Sequence, residues 1–174
     1  MDHYFLLCNE IGSLISGFYL FIEGKSQLKN YIQNCERGAC MAAHPHAWMT
    51  KELILNWLCH FATSVPGGVS HENKHLLILD GHGSHMAMQT IEEANNLGIY
   101  LLTFSSHTTH RLQPLDANLF GPFKNYLRVE RASWMAKNPG VEVKRFELPG
   151  IARKEFKRAL TPSHIKARFR RTGI

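Results

Sequence analysis

The sequence predicts an α/β fold in which strands and helices alternate. Residues 76–79 and 99–104 are short apolar runs bounded by turn-forming residues, as expected of buried strands. Residues 84–97 between them are predicted to form a helix that Ser84 caps and Gly98 ends. A strand, a helix and a second strand in this order form a βαβ unit, in which the strands are parallel and the crossover is right-handed.

Further elements are predicted before this unit. Residues 3–9 and 14–22 have the pattern of a hairpin with its turn at Gly12, and residues 24–47 have the composition of a loop. Thr50 is the expected N-cap of the next helix, because its hydroxyl can accept a hydrogen bond from a first-turn N–H. The predicted apolar face of that helix consists of Leu53, Ile54, Trp57, Leu58 and Phe61.

The C-terminal part is predicted to be helical and basic. One helix begins near residue 114, and two shorter helices cover about 150–160 and 162–170. Residues 144–174 contain ten Lys and Arg against two Glu, a balance of +8, whereas the preceding residues sum to −2. A basic segment on a nearly neutral body favours a polyanionic partner such as nucleic acid. An ordinary solvated helical face is the alternative.

Composition excludes several classes of protein. With 174 residues, 44% hydrophobic and 20% charged, the chain is expected to be one globular domain. Its four cysteines lack CxxC spacing and its eleven histidines include no HExxH, which argues against a disulfide scaffold or a zinc site. No apolar run has the length of a membrane span, and no signal peptide is recognisable. We therefore expect an intracellular protein with no membrane partner.

Two aspartates are the candidate functional residues. Asp80 follows the run 76–79, and Asp116 lies just past the second strand, at the start of the next helix. Ligands of open α/β sheets bind at the carboxyl ends of the strands, so the two carboxylates are expected to lie close together. The alternative is a turn-forming Asp80 and an Asp116 that stabilises a helix start.

Paired carboxylates occur in glycosidases, in aspartic proteases and in sites for hard divalent cations. The DTG or DSG turn of the aspartic proteases is absent, and no glycosidase motif is present. Two Mg²⁺ or Mn²⁺ ions about 4 Å apart can clamp the reacting oxygens of a phosphodiester, which suits a basic protein. We expect the carboxylates of Asp80 and Asp116 to be roughly 4–7 Å apart if they share an ion.

Two stretches carry a resemblance to a known family. "LLILDGHGSH" and "SSHTTHRLQPLDANLFGPFK" closely resemble the catalytic core of pogo, Tigger and jerky-type transposases, the DDE-superfamily endonuclease domain that is related to centromere protein B. "WMTKELILNWLCHF" and "RALTPSHIKARFRRTGI" resemble flanking segments of that core, so the resemblance covers nearly the whole chain. Its most specific motif is His-x-LQPLD followed by FGPFK.

The resemblance implies a ribonuclease-H-like mixed sheet flanked by helices, and a nuclear protein that cuts and joins DNA with three carboxylates and Mg²⁺ or Mn²⁺. Asp80 matches the second acid and Asp116 the third, with 35 residues between them. The first acid lies on a strand before the hairpin, so we expect residues 1–174 to be a partial core that lacks its first strand. Asp2 is the nearest candidate replacement. No small-molecule cofactor is implied, and self-association is left open.

Other residues have predicted roles in DNA binding. His82 and His85 are predicted to contact phosphate or to position water; the alternative is that their hydrogen bonds fix the turn after the first strand of the βαβ unit. Lys124 faces solvent or DNA, and the C-terminal candidates are Arg168, Arg170 and Arg171. Three hypotheses follow: an active strand-transferase core, a catalytically dead remnant that binds DNA or protein, and a fragment of a longer active transposase. We expect the 174-residue chain to cleave DNA poorly, because only two of three acids are assigned.

Overall fold

A computed structural model describes most of the chain. The described residues are 3–4, 7–8, 14–15, 19–23, 35, 38–46, 49–81, 83–104, 112–114, 120–144 and 147–173. The strands in these ranges are β1 (His3–Tyr4), β2 (Leu7–Cys8), β3 (Leu14–Ile15), β4 (Tyr19–Glu23), β5 (Cys40–His44), β6 (His75–Leu79) and β7 (Ile99–Thr103). The helices are α1 (Lys51–Ser64), α2 (Met88–Leu97), α3 (Phe120–Lys137), α4 (Leu148–Ala159) and α5 (Pro162–Thr172).

The N-terminal strands pair as the predicted hairpin requires. β1 is antiparallel to β4, with His3 opposite Phe21, and β2 is antiparallel to β3, with Leu7 opposite Ile15. One pairing is nested inside the other, so the hairpin is confirmed. Its predicted turn at Gly12 lies outside the described residues.

A strand replaces part of the predicted loop at 24–47. β5 pairs in parallel with β4, and Cys40 lies opposite Tyr19. The sequence Cys-Met-Ala-Ala-His contains no Val, Ile, Thr, Tyr, Phe or Trp, so strand propensity gave no signal. Pairing with β4 and burial of Met41 and Ala42, which are 8% and 4% exposed, determine the conformation instead.

Helix α1 forms as the sequence predicts. The Thr50 hydroxyl accepts a hydrogen bond from the Leu53 N–H at 3.2 Å, which confirms the N-cap. The predicted apolar face is buried, apart from Leu53, which is partly buried. The rings of Trp57 and Phe61 stack with centroids 5.8 Å apart. This face covers the side of β6 that carries Leu77 and Leu79, so α1 and the β6–β7 pair share one core.

The βαβ unit is confirmed, with a shorter helix than predicted. β6 and β7 are parallel, with His75 opposite Ile99 and Leu79 opposite Thr103. Helix α2 begins at Met88 rather than residue 84, and its N-cap position is Ala87. The predicted cap, Ser84, instead lies in a turn over 83–86.

Among the described residues, only one face of the β6–β7 pair is covered. Leu77 and Leu79 are buried, whereas Leu76, Tyr100 and Leu102 are 60%, 54% and 46% exposed. The prediction that both runs are buried strands is therefore wrong for one face of the pair. An unbroken apolar run does not say how many faces are covered, because neighbouring elements decide that.

The C-terminal helices form a second core. Met41 of β5 lies in it with residues of α3, α4 and α5, and its buried members are Met41, Phe123, Ala152, Ala159, Leu160 and Ile165. The helix predicted from residue 114 is seen from Phe120, and Pro114 lies in a turn. The two shorter basic helices are confirmed as α4 and α5.

The architecture is mixed α/β, with small sheets flanked by helices, and is compatible with a ribonuclease-H-like core. None of the helices in the described ranges is long and apolar enough to cross a bilayer.

Candidate functional site

Asp80 lies at the carboxyl end of β6, where the sequence placed it. The Phe104 N–H donates to the Leu79 carbonyl at 3.2 Å, so the parallel pairing extends to the residue before Asp80. The side chain of Asp80 is 47% exposed. The βαβ unit thus presents a carboxylate to solvent at the edge where ligands of α/β sheets bind.

Gly81 lets the backbone after Asp80 pass close to the end of β7. A Cβ atom at position 81 would lie 3.2 Å from the Phe104 carbonyl oxygen, which is closer than most Cβ contacts. The strand ends can therefore approach each other beside Asp80 because residue 81 has no side chain.

His85 contacts Asp80 directly. Its Nδ1 atom lies 2.7 Å from Asp80 Oδ1 and 3.3 Å from the Asp80 carbonyl oxygen. Both oxygens are acceptors, so Nδ1 carries a hydrogen and donates it. The residue is only 3% exposed, which favours the interpretation that His85 fixes the turn over contact with phosphate.

The turn that carries His85 is anchored to α2. The Thr90 hydroxyl donates to the Ser84 carbonyl oxygen at 2.9 Å, and Thr90 is fully buried. Ser84 itself is 7% exposed. The start of α2 therefore holds the residue before His85, and this fixes the backbone from which the imidazole reaches Asp80.

Two predicted site residues, Asp116 and His82, lie outside the described residues. The predicted 4–7 Å separation of the Asp80 and Asp116 carboxylates therefore stays a prediction. Within the ranges that the structure describes, no three His, Cys, Asp or Glu side chains are grouped so that they could hold a metal ion. Gln113 and Pro114 precede Asp116 in the sequence. Pro114 is buried, and so is the side-chain oxygen of Gln113.

The predicted DNA-binding cations differ in accessibility. Lys124 on α3 and both Arg170 and Arg171 on α5 are exposed. Arg168 is partly buried, and its Nε atom is inaccessible. The first three side chains are thus available to a ligand in solution, and Arg168 less so.

Sequence reasoning missed two further cations on α3. Arg128 and Arg131 are exposed and follow Lys124 at spacings of four and three residues, which places all three on one helical face. This i, i+4, i+7 spacing is the signal that could have identified them.

On α3, α4 and α5 most basic residues are exposed, whereas the acidic residues are buried or partly buried; we call this difference the charge sorting of these helices. Glu155, the acidic residue of α4, is 6% exposed, and Glu130 of α3 is partly buried. α5 contains no acidic residue. The exposed basic residues of these helices are Lys124, Arg128, Arg131, Lys137, Arg153, Lys154, Lys157, Arg158, Lys166, Arg170 and Arg171. The helices therefore show solvent a surface dominated by positive charge.

One of these cations also has a structural contact. The Arg158 guanidinium lies 4.2 Å from the centroid of the Tyr126 ring, and one of its nitrogens is 3.9 Å from a Glu155 carboxylate oxygen. The first contact has the geometry of a cation–π interaction between α3 and α4.

Comparison with known proteins identifies a family and two relatives. A family description, DDE superfamily endonuclease, matches residues 22–152, which are more than half of the chain. A protein named MFS-type transporter clz9 from Cochliobolus lunatus is 31% identical over 166 residues, or 95% of this chain and 18% of that protein. A mouse protein named Pogo transposable element with KRAB domain is 24% identical over 98 residues, or 56% of this chain and 16% of that protein.

The chain spans less than a fifth of the length of either relative. No solved structure matches it significantly. The family match contains Asp80 and Asp116, and the pogo relative agrees with the resemblance in the sequence. The chain therefore belongs to the DDE superfamily of endonucleases and is consistent with a pogo-type domain of that family.

Proposed function

We propose that the chain forms a catalytic core for divalent-metal-dependent cleavage and transfer of DNA strands, with Asp80 and Asp116 as metal ligands. The observation that carries this proposal is the carboxylate of Asp80, which is half exposed at the carboxyl end of β6 and held by the buried His85. The proposed unit covers residues 1–174, with the basic helical segment 144–174 as part of it. The proposed location is the nucleus.

The residues present suit a hard divalent cation. Mg²⁺ and Mn²⁺ favour carboxylate oxygens, and the exposed Asp80 side chain offers these with backing from a hydrogen-bond donor. Enzymes of this superfamily generally use divalent metals. Two such ions, when bound, would stabilise the negative charge on the attacking and leaving oxygens of a phosphodiester. The proposed role of Asp80 is to bind one ion in a fixed position beside the DNA strand that is cut.

The basic helices are proposed to hold the DNA. A surface with many exposed Lys and Arg residues and few exposed acids attracts the phosphate backbone regardless of base sequence. An ordinary solvated surface mixes both signs of charge, whereas the acids of α3 and α4 are buried or partly buried. This sorting supports nucleic acid as the partner.

The first experiment measures nicking of supercoiled plasmid DNA by the purified chain with Mg²⁺ or Mn²⁺. We expect this nicking to be slow, because only two of the three acids are assigned. Asp80→Asn and Asp116→Asn should each abolish nicking, because an amide is a weaker ligand for a hard cation than a carboxylate. Glu92→Gln on the exposed face of α2 is the matched control and should retain wild-type activity. Nicking that survives Asp80→Asn contradicts the proposed site.

A second candidate function is DNA binding without cleavage, as in a catalytically dead remnant. The charge sorting on α3–α5 favours it, because that surface does not depend on the carboxylate site. A chain that binds DNA but shows no nicking with either metal, and whose binding is unchanged in Asp80→Asn, has this second function instead of the first.

A further inference from the structure

We propose that His85 is a positioning residue, which holds the Asp80 carboxylate in the orientation that receives a divalent ion. This inference rests on the proposed function, because it assumes that Asp80 is a metal ligand. The sequence motif does not indicate it, since a spacing of five residues through a turn matches neither the helical nor the strand period.

The first argument is the double contact of one nitrogen with one residue. His85 Nδ1 lies 2.7 Å from Asp80 Oδ1 and 3.3 Å from the Asp80 main-chain oxygen. A donor shared between the side chain and the backbone of the same aspartate restricts rotation of that side chain. The short distance to Oδ1 is typical of a hydrogen bond to a charged acceptor.

The second argument is the difference in burial between the partners. His85 is 3% exposed, whereas the Asp80 side chain is 47% exposed. The donor is therefore fixed by packing, and the acceptor faces the solvent from which an ion arrives. Carboxylates that ligate metal ions are commonly oriented by hydrogen bonds of this kind.

The third argument is that the turn is held independently of Asp80. The fully buried Thr90 donates to the Ser84 carbonyl oxygen at 2.9 Å, so α2 fixes the backbone beside His85. This hydrogen bond anchors the turn without involving His85. The turn thus has an anchor besides His85, and we infer that the contact of His85 with Asp80 orients the carboxylate as well as holding the turn.

The experiment compares His85→Asn with His85→Gln. The Asn side-chain nitrogen is bonded to Cγ, as Nδ1 is in histidine, so it can donate to Asp80, whereas the Gln nitrogen lies one bond further out. Binding of Mn²⁺ to the purified chain is measured from the electron paramagnetic resonance signal of the free ion. Broadening of the Asp80 and Gly81 amide signals in NMR spectra locates the bound ion.

His85→Gln should raise the Mn²⁺ dissociation constant about 10–100-fold, the usual effect of losing a group that orients a ligand, while His85→Asn stays close to wild type. Urea unfolding without metal reports the structural effect of each substitution. The Mn²⁺ dissociation constant of Asp80→Asn gives the reference value for a disrupted site. Glu92→Gln, on the exposed face of α2, should bind Mn²⁺ as tightly as the wild type does.

The outcomes separate the two proposals. If Asp80→Asn abolishes binding but His85→Gln does not weaken it, the positioning role is overturned and the metal site stands. If both His85 variants lose affinity equally, in proportion to their loss of unfolding free energy, the residue is only structural and the positioning role is again overturned. If Asp80→Asn binds Mn²⁺ as wild type does, the proposed metal site fails, and the role of His85 with it.

Discussion

Met41 and Ala42, neighbours in β5, belong to different hydrophobic cores. Met41 packs with residues of α3, α4 and α5, and Ala42 packs with α1 and the β6–β7 pair. Successive side chains of a strand point to opposite faces, so a strand between two helical layers contributes to both. β5 therefore connects the layer that carries Asp80 with the layer that carries the basic helices.

Truncation of Met41 should destabilise the fold. Met41 is 8% exposed, so Met41→Ala should lower the free energy of unfolding by about 2–5 kcal/mol, through lost burial and the cavity left behind. Urea titration followed by circular dichroism measures this. Met88→Ala is the matched control, because Met88 is 69% exposed and its removal should change stability by less than about 0.5 kcal/mol. Equal effects of the two substitutions would contradict the assignment of Met41 to a core.

The α3 cations should contribute to the salt dependence of DNA binding. The logarithm of the association constant falls with the logarithm of salt concentration by about 0.9 for each phosphate that a Lys or Arg neutralises. Combined substitution of Lys124, Arg128 and Arg131 by Gln should therefore reduce the slope by up to about 3. Fluorescence anisotropy with labelled duplex DNA over a salt titration gives the slope.

A double variant on other elements provides the control for this measurement. Lys51, at the start of α1, and Lys74, just before β6, are exposed and lie outside the basic helices α3–α5. Their substitution by Gln removes two charges, so the two variants are compared by the change in slope for each charge removed. If that change is equal in both variants, the effect reflects net charge, and the α3 face is not a phosphate-binding surface.

Much of the fold was predictable because local signals and packing agree. The apolar runs of β6 and β7 are rich in branched aliphatic residues, and Thr50 and Gly98 mark helix ends by their own chemistry. β5 was not predictable, because Cys-Met-Ala-Ala-His forms a strand only through pairing with β4. The start of α2 was misplaced because Ser84, a residue type common at helix caps, lies in a turn before the helix.

The position of Asp80 in the fold was predictable, but its hydrogen bonds were not. Asp80 directly follows an apolar strand, and this order places it at a sheet edge. Its contact with His85 depends on the path of the turn between them, which no sequence period describes. The exposure of Lys124, Arg128 and Arg131 follows from helical spacing once the buried face with Phe123 is known.

His60 should make the fold less stable in mild acid. Its Nδ1 lies 3.2 Å from Cys40 Sγ, and partial burial holds the pKa of the imidazole below its ordinary value of 6.5. The folded state thus binds fewer protons than the unfolded state, so the contribution of His60 is present above about pH 6.5 and is lost as the pH falls toward the folded pKa. Urea unfolding from pH 7.5 to 5 measures the decline, and His60→Gln should make it shallower. Parallel curves for the variant and the wild type would show that His60 is not its source.

Gly98 should be required for the junction between α2 and β7. Its φ angle is +84°, a conformation that L side chains rarely adopt, and a Cβ atom there would collide with the Ser70 carbonyl group. Gly98→Ala should therefore lower the free energy of unfolding by about 1–3 kcal/mol or more, since strain and the clash add. Thermal unfolding followed by circular dichroism measures the change.

The matched control for Gly98→Ala is Gly121→Ala. Gly121 lies in α3, and a Cβ atom added there would have no neighbour within 4 Å, so alanine should be neutral or stabilising by about 0.5–1 kcal/mol. Gly98 ends α2, the helix that connects β6 and β7. The Gly98→Ala substitution should therefore also weaken Mn²⁺ binding at Asp80, whereas Gly121→Ala should leave Mn²⁺ binding unchanged. A Gly98→Ala variant with wild-type stability and wild-type Mn²⁺ affinity would mean that the α2–β7 junction can relax without disturbing the strand end that carries the carboxylate.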